Sequence, residues 1–435
     1  MRQRHLRIAR MGWAVLLMLA LLLCAAPAGA LAAQDPEEAP KPIDRTWKNI
    51  VDVVAGEGYT AALRHDGQVL YAGRRDGDSL CAAEDWSNVE KLYRSGDRGE
   101  YLVALFRDGT AQALGPASSV SFDLSAYTNV RQVLIGQNVA AVLGGDGKVR
   151  IAQAQGPNAS NDDGVRARYY QQRVSSSAWD QIRAICFSRT AEGTDILAGL
   201  RSDGTVAATD LQWADELRKQ TDIKALIAGP KGILLLLHNG TLLNSGALRQ
   251  AETVGIQNFQ REDWANVAAF YPGADASYAL TRDGRVLAGS ARHENDSRIQ
   301  EVLGWTEIVQ LGFDDGGGER FVPAGLRADG TVLTVTQKNR NAKSAWDTSG
   351  WTGVVKLCSG ATYTLGLRAD GTVLSTGGEF GTEDFLEEVS GWTEIAELYV
   401  SDGAYPGRVH VVGLRYDGKV VAAGCNDYGE CSFEV

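Results

Sequence analysis

An Asp-Gly or Asn-Gly pair recurs nine times along the 435 residues, at 66–67, 108–109, 146–147, 203–204, 239–240, 283–284, 329–330, 370–371 and 417–418. The mean spacing of about 44 residues falls in the range of propeller blades. Each pair separates two short runs of alternating apolar residues, as in TAALRHDGQVLYAG, AGLRSDGTVAAT and LGLRADGTVLSTGG. Asp-Gly between such runs predicts a hairpin. Both residues tolerate positive φ, so the expected turn is the two-residue type I′ form. Asp66, Gly67, Asp370, Gly371, Asp417 and Gly418 are accordingly read as structural turn residues.

A third run precedes each hairpin. It reads WKNIVDVVAG from Trp47, WSNVEKLYRSG from Trp86, WANVAAFYPG from Trp264 and WTGVVKLCSG from Trp351. Tyr127 replaces the tryptophan in the third copy, and the fifth copy lacks it. Every copy therefore supplies three strands, here called a, b and c. A three-stranded meander has no closed core and must bury its faces on its neighbours. Stacking around an axis protects the sheet edges and gives a propeller. A linear β-helix is the rival, but its repeats are shorter and need no hairpin in each coil. The expectation is an all-β chain, a β-propeller over residues 47–435 with three- to four-stranded antiparallel blades. Nine copies make seven to nine blades, because a terminal copy outside the ring is an alternative to an unusually large ring.

Residues 1–32 read as a signal peptide. Arg2, Arg4, Arg7 and Arg10 precede an apolar stretch from Ala14 to Ala26, and Ala28-Gly29-Ala30 or Ala30-Leu31-Ala32 supplies a small-residue cleavage site. The stretch is shorter than a typical membrane span of about 20 residues, although retention as an anchor is the alternative. Residues 33–46 form a short linker. Loss of the four arginines moves the net charge from −11 to about −15, which leaves no basic footprint for nucleic acid. The mature chain is expected outside the cytoplasm, secreted or at the cell surface, as a monomer. Cys81, Cys186, Cys358, Cys425 and Cys431 remain, an odd number and so no complete disulfide framework. Cys186 and Cys358 occupy a slot that holds Tyr93 and Tyr271 in other copies, which marks them as packing residues. Cys425 and Cys431 flank the turn Asn426–Glu430, and whether they pair is open.

Gly360, Tyr363, Thr364, Asp370, Gly371 and Gly377, followed in the last copy by Gly424, Asn426 and Gly429, resemble the regulator of chromosome condensation repeat. The resemblance covers residues 47–435 and gains its specificity from nine copies. Many copies depart from it: Asn138 replaces the aromatic, and most lack the Asn-x-x-Gly turn. The short period is more similar to secreted bacterial members, the propeller-type β-lactamase inhibitory protein among them, than to the nuclear exchange factor. The family name alone implies guanine nucleotide exchange, which an exported chain would have no cytosolic GTPase to perform, and fold does not carry function.

The sequence carries few signs of catalytic chemistry. The repeated Asp-Gly-Thr-Val lacks the terminal tryptophan of a sialidase box. His5, His65, His238, His293 and His410 form no His-x-x-x-His pair, and there is no Cys-x-x-Cys, so a dedicated zinc site lacks ligands. No nucleophile elbow or phosphate loop occurs. Asp314-Asp315-Gly316-Gly317-Gly318-Glu319 lacks the acid spacing of an EF-hand and reads as a solvated turn. No catalytic residue, metal or cofactor is expected. The alternative is a propeller-type hydrolase or lyase with an unrecognised site.

Recognition is placed on the loops joining strands a and b, because variable loops on a rigid scaffold are where binding concentrates. Glu57, Asp97, Asp314, Asp315 and Asp402 make that rim acidic. A second candidate is the long connection between the third and fourth hairpins, where Arg168, Tyr169 and Tyr170 combine residue types common in interface hot spots. The expected activity is non-catalytic binding of a protein or glycan partner.

Overall fold

Val, Ile, Leu and Ala fill alternate positions of the runs beside each Asp-Gly pair, a pattern that suits a pleated surface with buried faces. In the computed structural model these runs are strands, and the described residues hold 28 strands in nine antiparallel sheets. The structure describes residues 47–75, 79–96, 99–116, 118–136, 139–175, 179–189, 195–209, 220–229, 232–244, 264–271, 277–289, 297–312, 324–335, 347–360, 363–377, 383–401 and 408–433.

Blade 1 shows the plan: strand a is Ile50–Gly56, strand b Tyr59–Arg64 and strand c Val69–Gly73, in the sheet order a-b-c. Strand a of the next eight blades is Val89–Ser95, Val130–Gly136, Ile182–Arg189, Ile223–Gly229, Val267–Tyr271, Ile308–Gly312, Val354–Gly360 and Ile395–Val400. Blade 3 gains a fourth strand, Ser121–Phe122, paired with its strand c at Val149–Gln155.

One backbone bond recurs at every junction. The first amide of strand a donates to the glycine carbonyl of the preceding blade's turn: Val89 to Gly67 at 2.9 Å, Val130 to Gly109 at 2.8 Å, and so on to Ile395 and Gly371 at 2.9 Å. Ile50 donates to Gly418 at 2.9 Å and joins blade 9 to blade 1. The nine copies therefore make one closed ring of nine blades, and no terminal copy lies outside it.

Strand a packs on its neighbour's strand a from blade 1 through blade 5 and from blade 7 through blade 9 back to blade 1. The gaps between the outer c strands widen with radius and are filled by helices. Helix α1, Asn161–Val174, covers strand c of blade 3; α2, Ser297–Leu303, that of blade 6; α3, Glu383–Ser390, those of blades 8 and 9. A short 3-10 helix at Ser79–Asp85 fills the same place between blades 1 and 2. Ser160 caps α1 in a reciprocal box with Asp163.

Where a blade has the tryptophan, its ring packs between strand a and the same blade's strand b, as in blades 4, 7, 8 and 9. A Cβ placed on Gly366 would lie 2.8 Å from the Trp351 ring, and one on Gly325 2.8 Å from the Trp305 ring. Small residues in the middle of strand b are thus the space into which the indole packs.

The Asp-Gly turns differ from expectation. Gly67 alone takes a positive φ, +87°, while His65 and Asp66 stay negative. Gly67 N donates to Arg64 O and Arg64 N to Gln68 O, both at 2.9 Å. The loop is therefore three residues, a type I turn closed by a left-handed glycine, rather than a two-residue type I′ turn. Its advantage lies in what else it bonds: the glycine carbonyl is freed to accept the next blade's amide.

Candidate binding surface

The Asp-Gly rim is built from groups already committed to one another. In four copies the aspartate accepts from the following threonine's amide and hydroxyl; at Asp370 these distances to Thr372 are 2.9 and 2.6 Å. The threonine hydroxyl holds the Asp370 carboxyl below its ordinary range, as at Asp108, Asp203 and Asp329. Asp66 pairs with Arg64 at 2.7 Å and Asp417 with Lys419 at 2.9 Å. The first turn residue reaches back around the ring: Arg107 donates to His65 O at 3.3 Å, and Arg282 to His238 O at 3.0 Å. This rim is a belt of structural bonds.

The axial strands spend their polar side chains in the same way. Gln310 of blade 7 accepts from Leu357 N at 3.0 Å and donates to Leu357 O at 2.9 Å in blade 8. Tyr93 accepts from Val133 N at 2.8 Å and donates to Val133 O at 3.1 Å. Arg183 donates to Ile223 O and Lys224 O of blade 5. Lys356 pairs with Glu397 of the next blade. Asp52, raised by burial, accepts from Val53 N at 2.9 Å and from Tyr399 Oη at 3.2 Å. Cys186 and Cys358 stand in this bridging slot as free thiols; the Cys358 thiol lies 3.8 Å from Leu398 O in blade 9. Among the described residues no group of His, Cys, Asp and Glu side chains is arranged to hold a metal ion.

On the opposite rim the connections differ in length from blade to blade. Its a–b connections range from residues 57–58 in blade 1 to residues 313–323 in blade 7. Glu57 is exposed there, while Asp97, Asp314, Asp315 and Asp402 lie outside the described residues. The Asp314–Glu319 acidic run does so too.

The long connection after blade 3 folds as α1 rather than as a loop. Arg168 and Tyr169 face outward; Tyr169 is 41% exposed and its hydroxyl donates to Thr209 O at 3.3 Å. Arg173 lies over the Tyr169 ring, 5.2 Å from its centroid. Tyr170, 3% exposed, packs edge-on to Phe187 in the core. It anchors the helix to the blade and presents no surface, so of the trio only Arg168 and Tyr169 are accessible.

Sequence reading missed the residue that starts every blade. Asn49, Asn88, Asn129, Gln181, Asp222, Asn266, Glu307, Gly353 and Glu394 all take positive φ, between 53° and 69°. Each carbonyl accepts from the first residue of its own turn, as Asn49 O does from His65 N at 2.9 Å. The signal was present, since asparagine is enriched in that conformation and four copies have Asn two residues after the aromatic. A register shift follows directly in all nine a strands.

No protein-family model matches the chain, and no curated protein sequence does. Among solved structures the chain is similar to the computationally designed Ika8 protein, with TM-score 0.37, 15% identity, 78% of this chain and 98% of the other. It is similar to Prp20p from Saccharomyces cerevisiae, with TM-score 0.29, 16% identity and coverage of 78% and 73%. BamB from Moraxella catarrhalis gives TM-score 0.32, 13% identity and coverage of 86% and 91%. The propeller assignment rests on the sheet order and ring closure described above.

Proposed function

We propose that the chain is an exported, non-catalytic binding module that engages a protein or glycan partner through its a–b rim. One observation carries this reading: the two rims are built to different rules. Nine near-identical turns consume their own polar groups on one side. On the other, the a–b connections vary from two residues to eleven, on a scaffold whose junctions are all hydrogen-bonded. A rigid frame with free variation at one end is the arrangement in which loops are available for recognition.

Three further elements belong to the proposal. The chain is an outlying member of the regulator of chromosome condensation repeat family; what supports this is the fit of Gly360, Tyr363, Asp370 and Gly371 to its pattern, since a Cβ on Gly360 would meet the Tyr363 ring at 2.5 Å. The acidic a–b residues Glu57, Asp97, Asp314, Asp315 and Asp402, together with Arg168 and Tyr169 on α1, are the contact candidates. The first 32 residues direct export, leaving Leu31 or Ala33 as the mature terminus. Among the described residues no helix is long and apolar enough to cross a membrane.

Affinity capture from culture supernatant and envelope extract, with intact-mass measurement of the native protein, tests the reading. A specific protein or glycan retained by a chain lacking its first 30 or 32 residues is the expected result. Soluble cytosolic protein that keeps Met1–Ala30 would refute export. Turnover of a bound glycan or peptide would move the assignment to the enzyme alternative.

A further inference from the structure

Eight of the nine blade junctions are crossed by the continuous chain. The junction between blade 9 and blade 1 is not, so its Ile50–Gly418 backbone bond has only side-chain contacts to add to it. The segment after the last strand supplies them. The Tyr428 ring lies beneath the Arg74 guanidinium, 3.8 Å to the centroid, and a Cβ on Gly58 would meet it at 2.9 Å. Phe433 meets Trp47 with ring centroids 4.3 Å apart. Thr60 of blade 1 donates its hydroxyl to Glu430 O at 2.8 Å and lies 2.9 Å from His410 Nε2 of blade 9.

Cys425 and Cys431 bracket Tyr428 and Glu430, two of the residues that grip blade 1. The loop between them is folded back on itself: Cys431 N donates to Asn426 Oδ1 at 2.9 Å, and Gly429 N to Asn426 O at 3.2 Å. The Cys431 thiol already rests on the Cys425 backbone, 3.3 Å from its carbonyl oxygen. Rotation about the Cys425 side chain between staggered wells moves its sulfur relative to that thiol without moving the loop's backbone.

We propose that Cys425 and Cys431 form a disulfide that clasps the ring shut at the junction without chain continuity. The oxidant is an external disulfide. One cysteine, as thiolate, attacks a sulfur of that disulfide, releases one thiol and leaves a mixed disulfide; the second thiolate then displaces the other thiol. Two protein thiols are oxidised, one external disulfide is reduced to two thiols, and the two cysteine protons end on the released thiols. Burial pushes the Cys425 thiol up to about 11 and the Cys431 thiol up to about 12, with Glu430 adding to both. The attacking thiolate is therefore scarce at neutral pH, and exchange is favoured by raising the pH. The export reading supplies the oxidising compartment; the test is run in vitro, so failure of that reading and failure of the clasp are separate results.

The full chain is equilibrated with oxidised glutathione, its remaining thiols are alkylated, and trypsin is added. No Lys or Arg follows Lys419, so both cysteines fall in the peptide Val420–Val435. The clasp requires that peptide to carry no alkyl group and to weigh two hydrogens less than its reduced form. It also requires a melting temperature raised by several degrees, lost on reduction and absent in Cys431→Ser. A peptide alkylated at both positions, or carrying glutathione, overturns the proposal. So does an intact crosslink that leaves the melting temperature equal to that of Cys431→Ser.

Discussion

The amide of Ile50 donates to the carbonyl of Gly418 at 2.9 Å, and this one bond repeats between the last blade and the first what occurs at the eight other junctions. Its acceptor is available because Gly418 sits at φ +78°, a conformation that turns the carbonyl toward the next blade. The turn that closes each hairpin is thus also the connector that closes the ring.

Gly371→Val tests that double role. Gly371 has φ +81°, and a Cβ there would lie 3.0 Å from Glu394 Cα and Ile395 N. A β-branched residue is strained in that conformation and crowds the junction, with an expected loss of about 1–3 kcal/mol. Gly353→Asn is the matched control. Gly353 has φ +69° with no atom within 4 Å of the added Cβ, and Asn occupies the equivalent place at 49, 88 and 129. Urea unfolding is expected to show it neutral, or stabilised by up to about 1 kcal/mol through a less flexible unfolded chain.

The hairpins, which repeat nine times, the tryptophan slot, which repeats seven times, and with them the propeller class were legible because repetition averages out each copy's departures. The turn type was not. Asp-Gly suits both the two-residue and the three-residue loop, and the choice depends on the glycine carbonyl's partner in the next blade. The left-handed start at Asn49 was hidden inside WKNIVDV, which scans as uninterrupted strand. Helix α1 carries a glycine at 164 and little apolar stripe; the Ser160–Asp163 capping box was its one local sign. Tyr169 and Tyr170 are adjacent in sequence, and only the helix phase decides which is buried. Of the acidic rim, the sequence shows composition and loop length, while the partner's chemistry depends on how the loops converge.

His410 predicts a pH dependence. It is fully buried at the start of strand b in blade 9, and burial, aided by Arg94, lowers its pKa to about 4. Thr60 donates to Glu430 O and so accepts from His410 Nε2, which places the proton on Nε2. The unfolded chain takes up a proton near pH 6.5. The stabilisation is therefore complete above pH 6.5 and is lost as pH falls toward 4, by up to about 3 kcal/mol. Other copies begin this strand with Tyr59, Tyr101 and Tyr363. In His410→Tyr, and in His410→Gln as a second variant, unfolding midpoints measured from pH 7 to 4 should lose this part of the slope. An unchanged slope would place the titration elsewhere.

Gln310 bridges blades 7 and 8 through both atoms of its carboxamide. Gln310→Ala leaves the Leu357 amide and carbonyl without those partners, at a cost of about 1–3 kcal/mol. Gln310→Glu keeps the acceptor, loses the donor and sets a carboxylate against Leu357 O, so it should destabilise at neutral pH and recover on acidification. Denaturation at pH 7 and pH 4 distinguishes the two variants, and equal pH responses would contradict the bridge.

The central claim is that the irregular rim binds and the Asp-Gly rim holds the ring. Binding of the captured partner, measured by calorimetry at two salt concentrations, tests it in two variants. One reverses Glu57, Asp97, Asp314 and Asp402 to lysine; the other reverses Arg282 and Arg327 to glutamate. The first set should abolish binding in a protein that melts normally, and wild-type affinity should fall as salt screens exposed charges over about 8 Å at physiological strength. The second set should leave affinity nearly unchanged. Normal binding by the first variant and loss by the second would place the working surface on the opposite rim.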